Sequence, residues 1–184
     1  MALATNNLAY GLRDVGLYAM DSAGALSNKV DLPAAQTFSF SEAEDFEELR
    51  GDDKVVAVRG KGPKVEWDLA AGGISLAAFV ILAGGTTNLS GTTPNQIFKI
   101  TKKVTDARQY FRVEGQAISD SGGDFHARLF KCKVTDNIEG ELADGTFWVT
   151  SCSGTAIGDS NDNLYELYSN ESVTVIPTVP PAAP

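Results

Sequence analysis

The chain has 184 residues, 43% of them apolar and 21% charged, a length and balance that exclude a disordered chain and point to one globular domain with a proper core. Its 24 acidic residues against 15 lysines and arginines give a net charge of -9, which argues against phosphate-backbone binding and against docking on anionic membranes. Two cysteines are too few for a disulfide scaffold and have no zinc-type spacing, so Cys132 and Cys152 are expected as buried thiols.

From the start, residues 1–7 lack the basic residue and apolar run of a secretory signal, so export by that route is not expected. The sequons at Asn88-Leu89-Ser90 and Asn170-Glu171-Ser172 are then incidental. Residues 14–20 read as a short strand. Thr37-Phe38-Ser39-Phe40-Ser41 alternates polar and aromatic side chains, and Lys64-Val65-Glu66-Trp67-Asp68-Leu69 alternates charged and apolar ones, the mark of strands with one buried face. Residues 54–59 give a shorter strand between them, and Gly60-Lys61-Gly62-Pro63 reads as a tight turn rather than a phosphate loop, because no helix start follows it.

The segment from 74 to 83 breaks this pattern. It is apolar almost throughout and bracketed by Gly72-Gly73 and Gly84-Gly85, which predicts a buried helix of two to three turns. It is also far short of a bilayer span. Period-two patterns return over 96–102, 109–119, 125–135 and 146–153, with weaker strands at 164–168 and 173–176 and a hairpin turn at Ser121-Gly122-Gly123-Asp124. The expected fold is mainly β: a β-sandwich with one short flanking helix near 74–83. Residues 1–11 are read as an N-terminal arm, 12–176 as the single domain, and 177–184, with four of the seven prolines, as an exposed tail.

Chemistry-bearing motifs are sparse. The one histidine, His126, lies on a predicted strand without a Gly-x-Ser-x-Gly elbow, and a surface or interface position is expected for it. Asp159-Ser160-Asn161-Asp162-Asn163 starts like a calcium loop, yet Leu164 stands where that motif needs Gly, so an Asx turn is the reading. No catalytic residue, cofactor site or metal site is assigned. The most unusual feature is acidic: Glu42, Glu44, Asp45, Glu47, Glu48, Asp52 and Asp53 fall within twelve residues, with Arg50 the only base. A solvated face explains such a run, but its place between two strands also fits a charged assembly loop.

Val15-Gly16-Leu17-Tyr18-Ala19, the Phe38 and Phe40 strand running into Glu44-Asp45-Phe46-Glu47-Glu48-Leu49, Lys54-Val55-Val56-Ala57-Val58-Arg59, the Trp67 strand and the apolar helix resemble, in that order, the major tail tube proteins of long-tailed bacteriophages. The resemblance spans residues 12–85. It implies a β-sandwich whose inner sheet closes with five other copies into a shared barrel. The hexameric rings stack into the tail conduit through which DNA is ejected. It implies self-assembly as the main partnership, with the tail tip or initiator, the tail terminator and the tape measure protein as other partners. It implies, too, that DNA passes without specific binding, that no membrane is involved, and that the protein resides in the virion after assembly in the host cytoplasm. Carried over from the family by position, the inter-subunit loop that the resemblance implies would cover residues 44–61, with Glu44, Asp45, Glu47, Glu48, Arg50, Asp52, Asp53, Arg59 and Lys61 as candidate members.

Elementary physics agrees with such an assembly: ring closure pairs sheet edges that are otherwise an aggregation hazard, and fixed carboxylates in a lumen repel phosphates. By alternation, Ser39, Ser41, Glu66, Asp68, Glu114 and Gln116 are the candidate lumen-facing residues. Two rivals stand beside this reading. One is a monomeric β-sandwich module that binds calcium or a glycan, and the other a different virion component such as a tail terminator or decoration protein.

Overall fold

The computed structural model describes residues 7–73 and 75–181. Among them the chain forms β1 (Ala9–Ala19), β2 (Val30–Asp31), β3 (Ala35–Gly51), β4 (Lys54–Gly72), α1 (Leu76–Ala83), β5 (Thr86–Ser90), β6 (Ile97–Thr101), β7 (Phe111–Ser119), β8 (Asp124–Glu139), β9 (Val149–Ile157) and β10 (Tyr165–Asn170). The fold is mainly β, as the period-two patterns predict, and every strand pair is antiparallel.

Eight strands make one sheet in the order β2-β1-β7-β8-β9-β4-β3, with β10 added beside β8, and the sheet does not close into a barrel. The strand predicted over 96–102 forms outside this sheet, as β6 in a separate two-stranded ribbon with β5. Strand β8 joins two limbs. Its first half pairs with β7 on one side and β10 on the other, and its second half pairs with β9. The register slips between Val134 and Ile138, the kind of irregularity that bends a strand and increases its twist.

The limbs meet around one apolar core. Val65, Trp67 and Leu69 of β4 point inward, and Val15, Leu17, Phe111, Val113 and Leu129 come from β1, β7 and β8. Trp67 meets Phe111 edge-on at 5.6 Å between ring centroids. Phe38 lies so close over Gly115 that a Cβ there would stand 2.4 Å from its Cδ1, so this glycine is a requirement of the packing. Burying side chains of this size contributes roughly 1.5–3 kcal/mol each.

The predicted helix is present. Ser75 caps it by accepting from the Ala78 amide at 3.3 Å, and Gly84 ends it at φ 77° while donating its N–H to the Val80 carbonyl. Lys102 Nζ donates to the last-turn carbonyl of Ala83 at 2.5 Å, which neutralises the helix C-terminus. Burial is one-sided, contrary to expectation: Ala78, Ile81, Leu82 and Ala83 are buried, while Leu76 and Ala77 face solvent. Ile74 lies outside the described residues.

Other boundaries also differ from expectation. The arm predicted over 1–11 is shorter, since Ala9 and Tyr10 already pair with Ser119 and Ile118; residues 1–6 lie outside the described ones. Gly60-Lys61-Gly62-Pro63 is a bulge inside β4, because the register slips where Glu44 faces Pro63 and Phe46 faces Gly60. Residues 173–176 form no strand. They begin a strap over the sheet that continues to Pro181, so the Pro-rich tail is docked; residues 182–184 are outside the described part.

Candidate functional site

Three features of this fold can carry function: an open polar face, a buried ionic cluster and a projecting hairpin. On the open face, the register sets Ser39 opposite Asp68, Ser41 opposite Glu66, and then Thr155 beside Glu66 and Ser153 beside Asp68. These side chains line a shallow cleft whose far wall is Thr135 and Asp136. Ser153 donates to Asp136 at 3.3 Å, and Lys64 pairs with Glu66 at 3.1 Å. Ser39, Ser41, Glu66 and Asp68 therefore share one exposed surface, because their strand neighbours Phe38, Phe40, Val65, Trp67 and Leu69 turn to the core. The surface offers hydroxyls and carboxylates in water. Among the described residues no group of three His, Cys, Asp or Glu side chains is placed to hold a metal ion.

Glu114 and Gln116 belong elsewhere, which corrects their assignment to the same open surface. Both are buried, because β10 and the strap cover this part of the sheet. His126, expected at the surface, is buried beside them. Its Nδ1 lies 3.0 Å from Glu114 Oε1, and its Nε2 lies 3.2 Å from Asp124 Oδ2. Arg128 donates from Nε to Glu114 at 2.9 Å and from Nη1 to Glu166 at 2.5 Å. Tyr168 stacks on the His126 ring at 4.7 Å and donates its hydroxyl to Glu114 at 2.5 Å.

The electrostatics follow from this geometry. Burial alone raises the Glu114 pKa, but hydrogen bonds from His126, Arg128 and Tyr168 outweigh it and bring the group down to about 2. Burial alone lowers that of His126, yet the bonds to Glu114 and Asp124 outweigh it and raise the value. With a carboxylate oxygen at each ring nitrogen, the imidazolium form of His126 donates to both, which is why the site favours that form. Burial also pushes up the Tyr168 hydroxyl, reinforced by Glu114. The carboxylates are satisfied within the chain, and this closed arrangement acts as a clip across β7, β8 and β10.

The strap is tied to the same clip. Asp124 Oδ2 accepts from the Thr174 amide at 2.7 Å and from its hydroxyl at 2.9 Å, and Gln116 donates to the Thr174 carbonyl at 2.9 Å. Further along, Tyr18 donates to the Pro177 carbonyl at 2.5 Å, and Arg112 to the Pro181 carbonyl at 3.0 Å. Prolines have no N–H to donate, so fixing their carbonyls by side chains is the available way to dock such a segment. A sequence signal for the clip exists: Arg112, Glu114 and Gln116, then Asp124, His126 and Arg128, then Glu166, Tyr168 and Asn170 each alternate at period two with complementary charge.

The third feature corrects the expected loop at 44–61. Strands β3 and β4 run on past the core as a paired ribbon to a turn at Asp52 and Asp53. Both turn residues have positive φ, 50° and 63°, as in a type I′ hairpin turn. Glu44, Asp45, Glu47, Glu48, Arg50 and Arg59 are exposed along it, and Lys61 pairs with Glu47 at 3.4 Å. Arg50 pairs with Glu48 at 2.9 Å. Sequence reasoning missed its apolar content: Phe46, Leu49, Val55, Val56 and Val58 are also exposed, Phe46 by 62%.

The remaining motifs have local explanations. Asp159 Oδ1 accepts from the Asn161 and Asn163 amides at 2.8 and 2.9 Å, which is the predicted Asx turn. Cys132 and Cys152 are buried free thiols, as expected. The chain matches no family model, and no curated protein matches it in sequence.

Proposed function

We propose that this chain is a structural subunit that assembles with copies of itself, the major tail tube protein of a long-tailed bacteriophage. The two sheet limbs packed around one core correspond in this reading to a β-sandwich. Six copies form a ring whose inner sheets complete a shared barrel, and stacked rings make the conduit for DNA ejection. The surface bearing Ser39, Ser41, Glu66 and Asp68 faces the lumen, where its carboxylates keep DNA from adhering. The protein resides in the virion and meets other tail components at the tube ends. No helix among the described residues is long and apolar enough to cross a membrane.

The observation that carries this reading is the hairpin beyond Glu44. A two-stranded ribbon with no core behind it is marginal in water, and this one leaves five large apolar side chains exposed. An assembling subunit accounts for both facts. A calcium-binding module is less well supported, because the Asp159 carboxylate that would bind the ion is occupied by its own loop amides.

Negative-stain electron microscopy with light scattering across a concentration series tests the proposal. Rings or tubes with sixfold views are the expected result. A particle that stays monomeric at every concentration, with stability that rises on adding calcium, overturns it in favour of the binding module.

A further inference from the structure

The exposed hairpin has a counterpart on the same chain. The β5–β6 ribbon also stands outside the main sheet, and it pairs Leu89 with Phe98, exposed by 61% and 40%. Ile97, on the ribbon's other face, and Val104, past the end of β6, are exposed as well. Charge separates the two ribbons. Residues 86–108 hold four basic side chains and only Asp106 as an acid, whereas 42–53 hold seven acids and one base. Lys102 is held by the Ala83 and Asp106 carbonyls and Arg108 by those of Val134 and Asp136, which leaves Lys99 and Lys103 without an ion pair among the described residues. On the hairpin, Glu44, Asp45, Asp52 and Asp53 are likewise without ion pairs among the described residues.

The hairpin's faces are defined by register. Phe46 faces Gly60, Glu48 faces Val58 and Arg50 faces Val55, so Phe46, Val55 and Val58 share one side. Gly60 adds no side chain there, and the space its Cβ would take is filled by the Glu44 carboxylate, with the Phe46 ring beside it at 3.4 Å from that position. The hairpin thus exposes apolar side chains within an acidic segment, and the β5–β6 ribbon, in a basic segment, carries Leu89 and Phe98 on one face and Ile97 and Lys99 on the other.

We infer that the β3–β4 hairpin of one copy docks on the β5–β6 ribbon of a second copy, over the face that carries Ile97 and Lys99, with the hairpin's free carboxylates toward Lys99 and Lys103. This inference rests on the assembly reading above and names the surfaces that carry it. Two different patches on one chain make a heterologous contact, which closes into a ring or propagates as a filament. Complementary charge at the borders sets the partner and the register.

The test is charge reversal with rescue. Lys99→Glu with Lys103→Glu, and separately Glu44→Lys with Asp45→Lys, should each weaken self-association by about tenfold or more, or about 1.4 kcal/mol. All four positions are exposed, and circular dichroism and the unfolding midpoint should remain those of the wild type. The chain carrying all four changes should regain association, because the charges again oppose. Association of both pairs at wild-type strength, or a fourfold variant as weak as its parents, overturns the inference while leaving the assembly reading in place. A wild-type protein that is monomeric at every concentration overturns both.

Discussion

Glu114 and His126 face each other across β7 and β8 with Oε1 and Nδ1 3.0 Å apart, and both side chains are fully buried. A charge pair in such a place costs desolvation and is held by the bonds that surround it. Here those come from Arg128, Tyr168, Asp124 and Thr174, so the clip joins three strands to the strap. The clip fixes the second limb of the sheet in the way that aromatic packing fixes the first.

A pH dependence follows. The His126 value is raised in the folded state, so its contribution is full below its ordinary 6.5 and is lost as pH rises through the folded value. The Glu114 value is lowered, so its contribution is full above 4.5 and is lost as pH falls towards about 2. Urea unfolding of wild type and His126→Gln should therefore differ most between these limits, and the difference should shrink above pH 6.5. A constant difference across that range contradicts the imidazolium assignment.

The packing of Phe38 on Gly115 gives a sharper test of the architecture. Gly115→Ala places a methyl into the ring and should destabilise the protein by about 1–3 kcal/mol. In a Phe38→Ala background the same change should cost far less, since the obstructing atoms are gone, and the two substitutions should be non-additive. Equal costs in both backgrounds, measured by chemical denaturation, contradict the contact between limbs. Trp67→Ala should cost about 3–5 kcal/mol, because its ring is enclosed between Phe111 and Gly154.

How far the sequence reveals this fold depends on what covers each face. Val65, Trp67 and Leu69 could be assigned to the core from alternation alone, and so could the open surface of Glu66 and Asp68. The same rule placed Glu114 and Gln116 in water, because alternation tells which residues share a face and says nothing of a cover from elsewhere in the chain. That cover is β10 and Thr174, which lie 54 and 58 residues away at the bonds to Glu114 and Gln116. The hairpin was obscured for another reason. Its acidic residues are poor strand formers, and pairing of the segment with β4, Glu47 opposite Arg59 and Glu48 opposite Val58, overrides that preference.

The two thiols should be unreactive in the native state. Burial pushes the Cys152 thiol up to about 12, with Asp68 adding to it, and burial pushes Cys132 higher still. Alkylation with iodoacetamide at pH 8 should leave both unmodified until denaturant is added, when mass spectrometry should find two adducts. Rapid labelling of either cysteine without denaturant contradicts its place in the core.

The last prediction separates folding from assembly. Glu44 and Pro63 are paired across β3 and β4, so an Asn-Gly turn can join them directly in place of residues 45–62. The ribbon removed is exposed on both faces, whereas the core begins at Val65 and ends well short of the excision. The shortened chain should keep its β-rich circular dichroism and an unfolding midpoint within a few degrees of wild type, the shift about 1 kcal/mol brings in a domain of this size. It should also remain monomeric where the full chain forms rings or tubes. A shortened chain that still assembles removes the role given to the hairpin, and one that fails to fold places the ribbon among the elements that stabilise the domain.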